Sequence, residues 1–271
     1  MAGATNVGIC KPLNPQPVSF TPFDYDVLVK MGLIPGIRDF TVFGINSNLN
    51  ANDGNTDIWP IDGVDLIIPS APGLVTVSST SNNDTAAGTG AQQIIAFGLN
   101  NGVEVFEVIP TNGIVGNTGI VEMDFINNFF ISVCGATKKN QGDIQLTIAG
   151  TAGIQRFIPA LVAFDSCSQQ KIPAGKTALI AAVTISIDTN SGQGSKTALI
   201  TGVVETGGVE REVFKETVTT AGLSVFQQTF KIYADAIPEN SIIRFKADSD
   251  DNSITVRSGY AVRLVDNNYT L

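Results

Sequence analysis

A polar, glycine-ended stretch is the first of four parts of the sequence whose residue types could carry chemistry. Residues 78–90 read SSTSNNDTAAGTG. A phosphate-binding loop of this kind needs a helix directly after it, because the amides of the helix N-terminus face the anion. The next residues, AQQIIAFGL, have a strand pattern instead. The sequence therefore predicts a turn between two strands, in which Asn82, Asn83 and Asp84 redirect the chain through side-chain hydrogen bonds to the backbone.

A second stretch imitates a nucleotide-binding loop. Residues 191–197 read SGQGSKT, with the Lys-Thr pair that such loops carry. Ser195 separates Gly194 from Lys196, so the required Gly-Lys adjacency is broken, and the residues that follow, ALITGVV, predict a strand rather than a helix. Nucleotide binding is not indicated here.

The third stretch, Asp248 to Ser253, is acidic and could supply calcium ligands. An EF-hand loop that began at Asp248 would need glycine at its sixth position and glutamate at its twelfth. Those positions hold Ser253 and Gly259. A polar turn between two strands is favoured, and whether the cluster from Asp248 to Asp251 binds calcium weakly stays open.

The fourth group consists of carboxylates on or beside predicted strands, Glu104, Glu107, Glu205 and Glu210. A glycoside hydrolase needs two carboxylates in one cleft, and no spacing here selects an acid and a nucleophile. The chain has no histidine, which removes every Ser-His and Cys-His pair. We therefore predict a protein that is not an enzyme, with no catalytic residue, no cofactor and no metal ligand.

Composition restricts the classes of partner that this protein is expected to bind. The net charge of −9 at pH 7 disfavours binding to nucleic acid or to anionic membrane surfaces, and no apolar run approaches transmembrane length. Only 15% of the residues are charged, which is a hint that part of the surface is covered by other subunits. Cys10, Cys134 and Cys167 are too few and too widely spaced for a disulfide framework or a zinc site.

The elements that carry these residues are predicted to be strands. Residues 1–22 contain three closely spaced prolines and few charges, which predicts an extended N-terminal arm, and residues 23–31 could form a short helix. From about residue 64, short β-branched runs alternate with turn residues, including Asn101-Gly102 and Gly207-Gly208 between strands. We predict an all-β fold of two antiparallel β-sandwich blocks, jelly-roll-like, over residues 23–155 and 156–271, with an irregular bridge at about 151–172.

Several segments together resemble a family of virion proteins from tailed bacteriophages, notably marine ones. They are 42–46 (VFGIN), 57–59 (DIW), 75–100, 172–177 (IPAGKT), 237–239 (IPE) and 258–265 (SGYAVRLV). The run from Asp84 to Ala91 is the most specific of them. The sequence departs from the family at residues 108–113, VIPTNG, where a strand ending in Thr-Leu-Asn-Gly is typical, and in its proline-bearing arm.

The resemblance implies a structural protein of the phage particle, assembled in the cytoplasm of the bacterial host, with no catalytic residues to carry over. It suggests a capsid decoration, vertex or neck component that forms homo-oligomers, which we expect to be trimers. The partners would be the major capsid protein or the head–tail neck proteins. The alternative is a neck- or tail-associated adhesin or fibre component that binds a host surface glycan. Trp59 is the only tryptophan and the 15 phenylalanines are interpreted as core residues, so the sequence gives this alternative little support.

Overall fold

The structure, a computed structural model, describes residues 28–29, 31–189, 194–220, 225–231 and 235–268. These residues form antiparallel strands joined by turns, so the predicted all-β class is confirmed. The predicted arm at 1–22 lies outside the described residues. So does most of the predicted helix at 23–31, of which Leu28 and Val29 are helical. No helix among the described residues is long and apolar enough to cross a membrane.

The first sandwich consists of two facing sheets. One sheet has the order β6-β3-β8-β9 and the other the order β5-β4-β7. The strands are β3 (Gly73–Ser79), β4 (Ala91–Asn100), β5 (Val103–Pro110), β6 (Asn117–Met123), β7 (Phe125–Cys134), β8 (Ile144–Ile148) and β9 (Arg156–Ile158). Apolar residues at alternate positions of both sheets, such as Val75, Ile94 and Phe129, form one buried core between them.

The second sandwich is larger. Its sheets have the orders β1-β16-β11-β14 and β10-β15-β12-β13, and β2 pairs with β15. The strands are β1 (Ile37–Leu49), β2 (Thr56–Asp57), β10 (Gln170–Lys171), β11 (Lys176–Thr189), β12 (Thr197–Thr206), β13 (Val209–Thr219), β14 (Val225–Lys231), β15 (Ile242–Asp248) and β16 (Ile254–Asp266). Its core includes Ile185, Phe245 and Tyr260, whose ring lies 4.7 Å from that of Phe245.

The strand pairing differs from the predicted block boundaries at one point. The prediction assigned residues 23–155 to the first block, but β1 pairs along its length with β16, and β2 pairs with β15. The chain thus starts in the second sandwich, passes through the first and returns. Local alternation predicts that a segment is a strand, but it does not identify a partner more than 200 residues away, and this is why the sequence misplaced β1.

Both predicted glycine turns lie where the sequence placed them. Asn101 and Gly102 have φ values of 51° and 80° between β4 and β5, and Gly207 and Gly208 have φ values of 60° and 80° between β12 and β13. Positive φ at both central residues is the requirement of the tight hairpin turns that match strand twist.

The two sandwiches are joined by a small apolar cluster and by the chain between β9 and β10. Trp59, Leu66, Phe125, Cys167 and Ile242 form the cluster. Part of the predicted bridge, residues 159–169, lies without strand structure across the junction apart from one isolated β-bridge at Phe164. It is held by backbone bonds from Ile45 N–H to the Ser166 carbonyl and from Ser168 N–H to the Ile58 carbonyl, of 3.0 and 3.1 Å. The packing leaves a cleft on one side of this junction.

Candidate functional site

The glycine-ended loop at 78–90 is organised around one buried carboxylate. Asp84 is fully buried and accepts four hydrogen bonds: from Ser79 Oγ at 2.6 Å, Ala91 N–H at 2.7 Å, Gly142 N–H at 2.8 Å and Gln141 N–H at 2.9 Å. The predicted turn is present, but its anchor is the loop between β7 and β8 rather than local bonds alone. The amides that surround this loop therefore bond to a carboxylate of the protein itself, Asp84.

The glycines of this loop allow other protein atoms to approach its backbone closely, and they do not form a ligand-binding surface. A Cβ atom at Gly90 would collide with the Asp84 carboxylate, and one at Gly88 would collide with the Asn83 carbonyl. β4 follows the loop directly, in place of the helix that a phosphate-binding loop requires. These contacts give the run from Asp84 to Ala91 a structural role, and the phosphate-loop interpretation has no support here.

The other two loop motifs meet each other. Of residues 191–197, the first three lie outside the described part of the chain. Lys196 Nζ lies 3.2 Å from Asp251 Oδ1, and Thr197 N–H donates to Asp251 Oδ2 at 3.0 Å. These bonds, the Thr197 amide first, hold the pKa of Asp251 below its usual range. Asp251 of the acidic turn thus holds the start of β12 in place. A nucleotide-binding loop would need a helix at this point, and a strand begins there instead.

Among the described residues, no group of three or more Cys, Asp and Glu side chains is arranged to hold a metal ion. The absence of a metal ligand stays a prediction, which a calcium titration of the cluster from Asp248 to Asp251 would test.

Glu104 and Glu107, two of the four singled-out carboxylates, lie on opposite faces of β5. Glu104 is ion-paired with Arg38 of β1 across the junction of the sandwiches. Glu107 is buried and accepts hydrogen bonds from Ile120 N–H at 2.6 Å and Val121 N–H at 3.2 Å. It therefore satisfies donors on β6, an edge strand, and has a structural role.

Glu205 and Glu210 face each other on β12 and β13, where a pair of like charges would repel. Arg244 lies between them, 3.4 Å from Glu205 and 3.8 Å from Glu210. Its main partner is buried Asp57, which it contacts through two hydrogen bonds of 3.1 and 2.5 Å. Burial alone lowers the pKa of Arg244, but Asp57, Asp65 and Glu205 raise it above its ordinary value overall. The structure thus brings Glu205 and Glu210 together around the Arg244 guanidinium. They form an ion network and are not arranged as an acid and a nucleophile.

The cleft between the two sandwiches is the candidate functional site. It has a volume of about 530 Å³. One wall is the edge strand β1, from Arg38 to Phe43, and the other is the outer face of the sheet β5-β4-β7, with Phe164 and Asp165 from the connecting chain. Ligand pockets of proteins have volumes of roughly 300 to 1,000 Å³, so the cleft has the size of a binding site.

Phenylalanine rings cover much of the cleft. Phe97 lies at the centre, with ring centroids 5.9 Å from Phe130 in a stacked arrangement and 6.0 Å from Phe106. Phe43, Phe97, Phe106 and Phe164 are 40 to 63% exposed, which is unusual for rings of this size. A group of exposed aromatic rings marks an interaction surface more often than isolated exposed residues do.

Polar groups are set between these rings. Asn128 is exposed on β7, and Gln170 lines the inner end of the cleft. The Asp165 side chain is only 3% exposed, and its Oδ2 lies 3.5 Å from Nη1 of the fully buried Arg156. Its Oδ1 has no hydrogen-bond partner among the described residues. Burial raises the pKa of Asp165 to about 7, against the opposing effect of Arg156.

The sequence did not predict this site. The phenylalanines were interpreted as core residues, and Phe129 and Phe245 are indeed buried. Glu104, Phe106 and Val108 lie on one face of β5, so the charge of Glu104 could have marked that face as the solvent side. However, Glu107 is buried on the opposite face, so a charged residue does not distinguish the solvent face of β5 from its core face. The pairing of β1 with β16, which closes the cleft, has no local sequence signal.

Comparisons with known proteins leave the family open. No family model and no curated protein matches the chain. Among solved structures, it is similar to one of infectious bursal disease virus, Gx strain, at 14% identity and a TM-score of 0.25, covering 86% of this chain and 73% of that chain. A VP2 subviral particle of the same virus has 12% identity and a TM-score of 0.20, covering 92% of this chain and 79% of that one. TM-scores this low carry no argument about the function of this protein.

Proposed function

We propose that this protein is a non-enzymatic structural component of a phage particle, a homo-oligomeric capsid decoration or vertex protein that attaches through its N-terminal arm. The sequence resemblance over residues 42–266 motivates this function, and two rigid antiparallel sandwiches are suited to it. Three of the four carboxylates considered as catalytic candidates have structural contacts instead. Glu107 accepts hydrogen bonds from the backbone, and Glu205 and Glu210 lie on either side of Arg244.

The observation that carries this proposal is a set of large apolar side chains exposed on two neighbouring edge strands of the first sandwich and on the segment between them. On β5, β6 and the 3₁₀ helix between them (Gly113–Val115), Ile120 is 88% exposed, Val115 82%, Ile114 58% and Val108 41%. We call these four residues the 108–120 surface. Apolar groups this exposed favour burial against another subunit, as expected of an oligomer in a particle.

Replacing Ile120 with aspartate is expected to weaken self-association by about tenfold or more, because a charge would be buried without a partner in the subunit contact. The side chain is exposed in the single chain, so the melting temperature should hardly change. Sedimentation velocity over a concentration series measures the effect. Val209→Asp, at a 70% exposed position in the second sandwich, is the matched control. Equal association of both variants and the wild type would exclude the 108–120 surface as the contact.

Attachment to the particle tests the function itself. Antibody-gold labelling with serum against this chain should place gold over the heads of intact particles. Purified protein added to particles that lack it should restore the label, whereas protein without residues 1–22 should fold and oligomerise but not attach. Gold confined to the neck or tail would favour the connector or adhesin alternative. Particles without gold would contradict a virion role, and restoration by the truncated protein would contradict attachment through the arm.

The adhesin alternative is favoured by one observation, the cleft. A groove that combines exposed aromatic rings with polar side chains is what a glycan-binding protein needs, and no local sequence pattern indicates one. A decoration protein can also carry such a site, so glycan binding and a place on the capsid are compatible.

A further inference from the structure

The phenylalanine-lined cleft has three properties that together restrict its ligand. It presents exposed aromatic rings, it contains neutral amides, and the charged groups among its described lining residues are already paired. We infer that the cleft binds a neutral saccharide, whose C–H faces stack on Phe97 and Phe164 and whose hydroxyl groups form hydrogen bonds with the Asn128 side chain. This inference goes beyond the proposed structural function, and it does not depend on where the protein lies on a particle.

The aromatic wall fits the apolar faces of a sugar ring. Phe97 and Phe164 line the cleft with 40% and 55% exposure, and Phe106 extends the row outward from Phe97. The π face of an aromatic ring carries partial negative charge and attracts the polarised C–H groups of a sugar. β4 and β5 hold Phe97 and Phe106 on a hydrogen-bonded sheet, and an isolated β-bridge to Phe130 of β7 holds Phe164, so the rings are positioned before a ligand arrives.

The polar groups argue against a purely apolar ligand. The Asp165 carboxylate is almost fully buried beside Arg156, so it does not face a ligand in the cleft. Asn128, exposed on the cleft wall, offers both a donor and an acceptor to ligand hydroxyls, whereas a hydrocarbon would cover this amide without replacing its hydrogen bonds to water.

The charges argue for a neutral saccharide over an anionic one. Among the described residues that line the cleft, Arg38 is the only cationic one, and it is already ion-paired with Glu104. Asp165 is likewise paired with Arg156, so these residues offer no unpaired cation to the carboxylate, sulfate or phosphate of an acidic sugar. A short neutral oligosaccharide fits both the balance of charge and the volume of about 530 Å³.

The test measures binding of the full-length protein to defined sugars. Neutral disaccharides and trisaccharides ending in glucose, galactose or N-acetylglucosamine are compared with sialylated and sulfated ones by saturation-transfer NMR, and a neutral binder is titrated by calorimetry. We expect a neutral sugar to bind, Phe97→Ala and Phe164→Ala each to weaken binding by about tenfold, and Asn128→Ala to weaken it further when combined with either. Val209→Ala, at an exposed apolar position outside the cleft, should bind as the wild type does.

Several outcomes would overturn the inference. They are no binding of any neutral sugar by folded protein, preference for the acidic probes, or equal affinity of the phenylalanine variants and Val209→Ala. A peptide of residues 1–22 is included as a competitor, because a proline-bearing segment is the other ligand that an aromatic-lined groove accepts. If that peptide binds the cleft and the sugars do not, the cleft is a docking site for the arm. Gold labelling of particles decides the virion role separately, so failure of one proposal does not imply failure of the other.

Discussion

Replacing Asp84 with alanine is expected to lower the melting temperature by roughly 10 °C, a loss on the order of 4 kcal/mol of stability. The carboxylate is fully buried and accepts hydrogen bonds from Ser79, Ala91, Gln141 and Gly142. Without it, four donors lose their acceptor inside the protein. Each unsatisfied buried donor costs about 1 to 3 kcal/mol, and water entering the vacated space recovers part of the total.

Two further variants separate this effect from a general sensitivity of the loop. Ser79→Ala removes one of the four bonds and should cost only about 1 kcal/mol. Asp250→Ala, at an exposed position, should have an effect within about 0.5 kcal/mol. Thermal unfolding followed by circular dichroism measures all three, and hydrogen exchange should show lost protection first in β3, β4 and β8. If Asp84→Ala melts with the wild type, the carboxylate is not the anchor of this sandwich.

Asp84 also shows how far the sequence determines what can be predicted. Its neighbours Asn82 and Asn83 mark a turn through local chemistry, and the turn is present. Two of its four donors lie at Gln141 and Gly142, 57 and 58 residues further along the chain. Local patterns predict strands, turns and the hairpin at Asn101-Gly102 because those depend on nearby residues. They do not predict which distant loop a carboxylate reaches.

The cleft escaped prediction for the same reason. Its walls are β1 and the sheet β5-β4-β7, which become neighbours only because β1 pairs with β16. Phe97 and Phe106 are directly opposite each other in the β4–β5 ladder, and this pairing follows from the predicted hairpin. Whether the shared face points to core or to solvent could not be decided, because each face of β5 carries a glutamate.

Removing Asp57 is expected to be the other large effect, about 3 to 5 kcal/mol for Asp57→Ala. Asp57 is fully buried, holds Arg244 through two hydrogen bonds and accepts a third from Leu66 N–H at 2.7 Å. The variant leaves a buried guanidinium with weaker partners, which are Glu205 at 3.4 Å, Glu210 at 3.8 Å, the Leu66 carbonyl at 3.4 Å and the more distant Asp65. An unpaired buried charge costs far more than an exposed pair contributes. Asp235→Ala, which breaks the exposed contact with Arg211, should therefore cost less than about 1 kcal/mol.

The double variant Asp57→Ala, Arg244→Met distinguishes a stabilising ion pair from a buried charge that merely needs a partner. Replacing both members of a buried pair with apolar groups is often close to neutral, because the desolvation cost of the charges disappears with their attraction. We expect the double variant to recover at least half of the stability lost by Asp57→Ala in urea denaturation. Recovery would mean that Asp57 is required because Arg244 is buried. No recovery would mean that the carboxylate acts mainly by holding Leu66 and the chain from 57 to 66 in place. Trp59 and Leu66 of that segment pack at the junction of the sandwiches. In that case we expect the cleft at the junction to open in the same variant.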